Sequence, residues 1–285
     1  MLIADTSFSR IAILGAGRIG SSLARCFRDC GFRVIATARR SETLRAVAQL
    51  GVEVTRDNRE AVRSSDVVIL SVKPLQLPAL VDEIRGMLSG KVVVSVIAGV
   101  KRSTLEKALL VDGVYRAMPN INVRIGMSTT ALTGPQDGVR SVVVENLFKC
   151  AGTVYWVPEE WIDVWTALVG SLPAYIAVIV DSITLGAVSM GLPRDIAIKA
   201  ILDTLKATAE HLLRNEVHPV ELRDEVTTPA GVTIEGLKVL EYRRVPAALI
   251  ETIERSTRKA VKLGDLVEDR IKSYVVNLER VVRSL

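Results

Sequence analysis

An apolar run, Arg10-Ile11-Ala12-Ile13-Leu14, passes directly into Gly15-Ala16-Gly17-Arg18-Ile19-Gly20. No other feature limits the possible folds of this chain as strongly. Ile19, Leu23, Ala24 and Phe27 follow at helical spacing, and a second apolar run, Arg33-Val34-Ile35-Ala36, comes next. A G-x-G-x-x-G alone carries little weight. With a strand before it, a helix behind it and a second strand at the right distance, it reads as the first βαβ unit of a dinucleotide-binding sheet. Gly15 then allows the tight turn, Gly17 lets backbone N–H groups approach a pyrophosphate, and Gly20 lets helix and strand pack closely. Ala16, Arg18 and Ile19 complete the cofactor-contacting turn.

The alternation continues. Ser41 starts a helix that Gly51 can end, residues 66–72 form an apolar strand, and Lys73-Pro74 turns the chain. Residues 77–88 are helical in period, 91–96 form another buried strand, and 114–117 and 152–157 read as later strands. The expected fold is α/β, a doubly wound Rossmann-type domain over residues 1–158 followed by an all-helical domain over 159–285. Ligands of such a sheet sit at the carboxyl ends of its strands. Those ends are residues 15–20, 37–40, 71–74, 98–99 and 118–120, so Ser71, Val72, Lys73, Pro74, Ala98 and Asn120 join the candidate cofactor residues.

The end of the second strand bears on the cofactor. Asp or Glu there would hold a ribose 2′-hydroxyl and repel a 2′-phosphate. The chain instead reads Thr37-Ala38-Arg39-Arg40. Two guanidiniums and a hydroxyl suit a dianionic phosphate, although a solvated surface pair has the same sequence. NADP(H) is the expected cofactor, with NAD(H) open as a second.

Composition excludes several classes. The 285 residues are 49% hydrophobic and 24% charged, as in a soluble globular protein. A net charge of +5 raises nucleic-acid binding, but Lys and Arg are interleaved with Asp and Glu, and aromatics do not alternate with basic residues. No nucleic-acid partner is expected. Cys26, Cys30 and Cys150 do not suggest a disulfide framework. Cys26 and Cys30 lie four apart on a predicted helix, which reads as two small buried thiols. No Cys-x-x-Cys or Cys/His metal spacing occurs, so no metal is expected. Residues 1–10 lack the apolar core of a signal peptide. The apolar run over 161–192 is interrupted by Pro173 and Asp181 and reads as a buried helix or subunit interface rather than a membrane span. The expected location is the cytoplasm.

Beyond residue 158 every pattern is helical: 161–168, 173–190, 193–214, 219–226, 232–243 and 245–263. Within it lies Thr227-Thr228-Pro229-Ala230-Gly231-Val232-Thr233, small and hydroxyl-bearing residues ahead of Ile234, Leu237, Val239 and Leu240 at helical spacing. This turn is either a plainly capped helix start or a site where open N–H groups bind a small anion.

Five segments together resemble the pyrroline-5-carboxylate reductase family: the glycine turn, Ser71-Val72-Lys73-Pro74, Arg116-Ala117-Met118-Pro119-Asn120, Gly170-Ser171-Leu172-Pro173-Ala174-Tyr175, and residues 219–241. The resemblance implies that the loop over 228–233, with Thr228, Gly231, Val232 and Thr233, binds the substrate carboxylate through backbone N–H groups. It also implies that Thr233 hydrogen-bonds an imine nitrogen, that Asn120 contacts the nicotinamide end, and that Asn58 lies near the adenine ribose, where an Asn before a helix also reads as a cap. It implies an interlocked homodimer, or a larger assembly of dimers, in which this loop meets the cofactor of the partner. The chain departs from the family with Leu172 and Ala230 in place of Gly and Ile121-Asn122 in place of Thr-Pro. The amphipathic stretch over 265–285, with Leu266, Ile271, Val275, Leu278, Val281 and Val282, runs past the usual end and either packs across a subunit or lies in solvent.

What the chain lacks points the same way. Oxidising an alcohol needs a base or metal for the hydroxyl proton. His211 and His218 have no companion acid in sequence, and residues 176–180 carry no Lys where related hydroxyacid dehydrogenases have one. A protonated imine is already electrophilic and needs alignment more than an acid. The expected reaction is reduction of 1-pyrroline-5-carboxylate to proline by NADPH. A reductase of another cyclic imine acid and a non-enzymatic NADP(H) sensor are the alternatives.

Overall fold

The computed structural model describes residues 8–136 and 138–283. It divides into two compact units, one running to Gly170 and resuming at Thr257, the other spanning Ser171–Ser256. Residues 159–170 and those from 257 onward cluster with the first unit.

The first unit holds eight strands: β1 (Arg10–Leu14), β2 (Arg33–Thr37), β3 (Glu53–Thr55), β4 (Val67–Leu70), β5 (Val92–Ser95), β6 (Tyr115–Met118), β7 (Ser128–Thr133) and β8 (Gly152–Trp156). They form one sheet in the order β3-β2-β1-β4-β5-β6-β7-β8, parallel throughout except for the antiparallel β6–β7 pair. The strand order reverses between β1 and β4, so the carboxyl ends of these two border the crevice where a doubly wound sheet takes its ligand.

β1, β4 and β5 are buried on both faces and therefore read as unbroken apolar runs. The two strands absent from the sequence reading break that rule. β3 is three residues long at the sheet edge and is at most half-buried. β7 reads Ser-Thr-Thr-Ala-Leu-Thr, yet Ser128 and Thr130 are fully buried and satisfy each other through hydroxyls 3.0 Å apart. Such a strand is buried by hydrogen bonding rather than by hydrophobicity.

Six helices cover the sheet: α1 (Arg18–Asp29), α2 (Ser41–Ala48), α3 (Asn58–Arg63), α4 (Leu77–Ile84), α5 (Arg102–Leu109) and α6 (Gly138–Lys149). α1 and α6 share one core, where Phe27 meets Phe148 edge to face with centroids 5.7 Å apart. α3, α4 and α5 share the other. Gly20 sets how closely α1 approaches the strands. A Cβ there would overlap the Gly15 carbonyl oxygen and stand 2.9 Å from Ser71 Oγ, whereas a Cβ at Gly17 would meet nothing within 4 Å.

Cys30 and Cys150 form a disulfide, with Cα atoms 6.1 Å apart, that joins the end of α1 to the end of α6. This corrects the reading of unpaired thiols. The two residues are 120 apart in sequence, and only the packing of α1 beside α6 brings them together. Cys26 remains a buried free thiol whose pKa is pushed up by burial.

The chain continues through α7 (Ile162–Trp165), one π-helical turn (Thr166–Gly170), α8 (Leu172–Ser189), α9 (Arg194–Asn215), α10 (Pro219–Val226), α11 (Val232–Tyr242) and α12 (Val245–Arg283). In the second unit α8 packs on α9, but Val178, Ile183, Leu185 and Met190 all face outward, Met190 being 87% exposed. Of the two sequence readings, buried helix or subunit interface, the first does not hold within a single chain. By length and composition, residues 159–189 also satisfy the test for a membrane-crossing helix.

α12 does not stop near residue 263. Gly264 lies within the helix against Gly99, where a Cβ would stand 3.0 Å from the Gly264 Cα. Two glycines allow the helix to cross the loop after β5 at close range. Its last turns then pack on the α4/α5 side of the sheet, burying Ile271 and Val275, while Tyr274 donates a hydrogen bond to Asp82. Glu268, buried from solvent, accepts the Lys101 N–H at 2.9 Å and the Thr104 hydroxyl at the start of α5. Within 265–278, Ile271, Val275 and Leu278 thus pack on the sheet of their own chain, while Leu266 is 60% exposed. The side chains of Val281 and Val282 lie outside the described residues.

Two stability predictions follow from this packing. Ile271→Ala is expected to cost about 2–5 kcal/mol, read by denaturant unfolding, because the side chain is fully enclosed. An unchanged midpoint would mean that the terminal helix is not docked. Gly20→Ala is expected to lose about 3 kcal/mol, the upper end for overpacking, by clashing with backbone, whereas Gly17→Ala costs no more than about 1 kcal/mol at a helix cap. Equal melting temperatures for the two variants would contradict the assignment of Gly20 as the packing glycine.

Candidate active site

The glycine turn is built by three strand ends. Gly15 has φ +102°, in the region that favours glycine, and donates its N–H to Thr37 Oγ1 at 3.1 Å. Ala16 N–H bonds the Thr37 carbonyl at 2.7 Å, and Ser71 N–H bonds the Leu14 carbonyl at 2.9 Å. The ends of β1, β2 and β4 are thereby locked around one turn. α1 begins on Gly17, which has no side chain to cap it, and no acid occupies its first turn. A Cβ on Gly17 would meet nothing within 4 Å, and a helix start carries unpaired N–H groups and the positive end of the helix dipole. Open donors, a missing Cβ and no opposing carboxylate fit a pyrophosphate.

The structure brings Gly15, Ala16, Gly17, Arg18, Ile19, Gly20, Ser71 and Val72 together at this crevice. A Cβ on Gly15 would lie 2.8 Å from the Ser71 carbonyl oxygen and 2.9 Å from Val72 Cγ1. Lys73 and Pro74 enter a short 3-10 turn ahead of α4. Ala98 is exposed at the end of β5.

At the end of β2, Arg39 and Arg40 are both exposed, and neither forms an ion pair among the described residues. Arg56, at the end of β3, reaches the same place and donates to Ser41 Oγ at the start of α2. Sequence reading missed this third guanidinium because it missed β3. Asn58 had two readings, ribose contact or helix cap. The cap of α3 is Asp57, whose carboxylate accepts the N–H groups of Arg59 and Glu60 at 2.8 and 3.2 Å. Asn58 is free of that task. It accepts from Thr37 Oγ1 at 2.6 Å and donates to Glu83 at 2.7 Å.

Asn120 is buried at the end of β6, and its carboxamide is engaged inside the protein. Oδ1 accepts the Asn122 N–H at 3.2 Å, and Nδ2 donates to the Val169 carbonyl at 3.4 Å in the π-helical turn. Its backbone N–H bonds Ser128 Oγ on the buried polar strand β7. The position is fixed from three sides, with one Nδ2 hydrogen left over.

In the second unit, α11 also begins on a glycine. Gly231 offers no side-chain cap, and a Cβ there would overlap Thr228 Oγ1. Thr228 and Thr233 hydroxyls have no hydrogen-bond partner among the described residues, and Val232 is 92% exposed. The Gly231 N–H is taken by the Thr228 carbonyl at 3.0 Å, so what the turn offers a small anion is the N–H groups that follow it and the two hydroxyls. Ala230 has φ +55°, a conformation in which the family's Gly is unstrained and an Ala is not. His218 caps α10 by accepting the Val220 N–H at 3.2 Å, and His211 is exposed. No group of metal-ligating side chains occurs among the described residues.

Comparison with known proteins covers both halves. The family description "Pyrroline-5-carboxylate reductase dimerisation" matches residues 159–263, and "NADP oxidoreductase coenzyme F420-dependent" matches residues 10–99. The pyrroline-5-carboxylate reductase of Thermus thermophilus is 36% identical over 264 residues, covering 90% of this chain and 99% of that protein. That of Aquifex aeolicus is 34% identical over 260 residues, covering 89% and 97%. Among solved structures, a pyrroline-5-carboxylate reductase from Coxiella burnetii superposes with a TM-score of 0.82 at 29% identity, covering 90% of this chain and 99% of that one. Sharing about a third of its residues with such enzymes along nearly their whole length, the chain belongs to the pyrroline-5-carboxylate reductase family.

Proposed function

We propose that this protein reduces 1-pyrroline-5-carboxylate to proline with NADPH, the last step of proline synthesis. The observation that carries this reading is the start of α11, where a glycine cap, free N–H groups and the free Thr233 hydroxyl lie within one turn. A small cyclic imino acid offers a carboxylate and a nitrogen at that same short spacing. Substrate size could still extend to a related ring, since Leu172 and Ile121 stand where the family has smaller or stiffer residues.

The turn over 228–233 holds the substrate carboxylate by backbone N–H groups, aided by the α11 dipole. The Thr233 hydroxyl oxygen accepts a hydrogen bond from the protonated ring nitrogen. When bound, NADPH supplies a hydride to the imine carbon, and the already protonated nitrogen ends as a secondary amine. The crevice residues Gly15, Ala16, Gly17, Arg18, Ile19 and Gly20 cradle the pyrophosphate. Arg39, Arg40 and Arg56 attract the 2′-phosphate, and Ser71, Val72, Lys73, Pro74, Ala98 and Asn120 line the path toward the nicotinamide. No side chain need act as an acid or base, so the contribution of the protein is alignment. NAD(H) would lack the phosphate that the guanidiniums favour and serve as the weaker cofactor.

The uncovered apolar face of α8 is proposed to be closed by a second copy, giving a homodimer or a larger assembly of dimers in which each α11 turn meets the cofactor of its partner. Covering by another copy accounts for the hydropathy of 159–189 without a membrane. We place the enzyme in the cytoplasm. The Cys30–Cys150 disulfide then requires a cytoplasm that tolerates one, as in hyperthermophiles.

Thr233→Ala is expected to lower kcat/KM for the imine by roughly 10- to 100-fold, the weight of one hydrogen bond to a charged group. NADPH affinity should stay the same. Steady-state kinetics with a separate NADPH titration checks this, and an equal loss of NADPH binding would remove Thr233 from its assigned role.

A further inference from the structure

We propose that Glu83 is a positioning residue for the adenosine end of the cofactor site, acting through the orientation of the Asn58 carboxamide. The proposal rests on reading the crevice as the NADP(H) site. Three hydrogen bonds form a continuous series. The Gly15 N–H donates to Thr37 Oγ1 at 3.1 Å, Thr37 Oγ1 lies 2.6 Å from Asn58 Oδ1, and Asn58 Nδ2 donates to Glu83 Oε2 at 2.7 Å. Glu83 lies near the end of α4, whose backbone is also held by Arg59 Nε on the Glu83 carbonyl at 2.9 Å.

The direction of every bond in this series is set at one end. A carboxylate can only accept, so it faces the NH2 of the amide and turns Oδ1 toward Thr37. The threonine hydroxyl must then donate to Oδ1, which leaves its lone pair for the Gly15 N–H. Thr37 is 3% exposed and cannot turn its hydroxyl to water. With the amide reversed, two N–H donors would converge on the threonine oxygen, and its own buried hydrogen would have no acceptor. Glu83 thereby helps hold the first glycine of the turn in place through Asn58 and Thr37.

The same orientation decides what Asn58 offers a ligand. One Nδ2 hydrogen is used by Glu83, and the second remains as a donor suited to ribose or phosphate oxygens. A reversed amide would present a carbonyl oxygen to the same anion. Charge alone argues the opposite way, because a carboxylate near a 2′-phosphate repels it. Orientation and charge therefore predict different outcomes for the same substitutions.

The test measures Kd for NADPH and NADH by intrinsic fluorescence, with melting temperature alongside, in Glu83→Gln, Glu83→Leu and Glu83→Lys. Gln can still accept from Asn58 and should bind NADPH within about twofold of the parent. Leu should weaken NADPH by roughly three- to tenfold, the worth of one hydrogen bond. Lys, a donor only, should weaken it despite its positive charge, with kcat at saturating cofactor nearly unmoved. Tighter NADPH binding by the Lys variant, no change in the Leu variant, or equal weakening by Gln and Leu would overturn the proposal. A double Arg39→Ala, Arg40→Ala variant serves as the separate control. If it binds NADPH as the parent does, the 2′-phosphate reading fails, while the Glu83 series still decides on the relay.

Discussion

The unpaired N–H groups at a helix start are the constraint on which this structure turns. Each α-helix leaves four donors without an internal partner, and burial without an acceptor is costly. Some helices here receive acceptors from side chains, while α2, α4, α8 and α9 start without a side-chain cap. Asp57 caps α3, His218 caps α10, and Glu159 and Glu268 reach across from later in the chain to satisfy α5. α1 and α11 instead begin on Gly17 and Gly231, which offer nothing. Those two starts are where an anionic cofactor and an anionic substrate would supply the missing acceptors.

Much of this was legible in the sequence. The strands of a parallel sheet are enclosed on both faces, so β1, β4 and β5 announce themselves as Val and Ile runs, and the glycine turn is found by the strand it follows. Glycine with helical spacing behind it also marked the α11 turn. The sequence could not say that Ala230 adopts a left-handed conformation, because backbone angles at a single Ala leave no trace in periodicity.

Features that depend on distant parts of the chain stayed hidden. β7 is polar in sequence and pairs its hydroxyls internally, so an apolar-run criterion passes over it. Missing β3 also hid Arg56, whose relevance comes only from lying beside the end of β2. Cys30 and Cys150 are joined because α1 packs beside α6. The helix expected to end at residue 263 continues, because Gly264 permits close crossing with Gly99, and docks Ile271 and Val275 on the sheet. In each case local propensity was overruled by a partner far away in sequence.

The central claim is that an aligned imine, rather than an alcohol or a partner protein, is what this pair of open helix starts serves. It is tested most directly by steady-state turnover of 1-pyrroline-5-carboxylate and its six-membered-ring analogue, each with NADPH and with NADH. The account predicts cofactor oxidation with the five-membered ring preferred, and kcat/KM with NADPH above that with NADH by roughly tenfold or more, the scale set by leaving a site's charged groups unpaired. NADPH binding without turnover of any cyclic imine acid would contradict it.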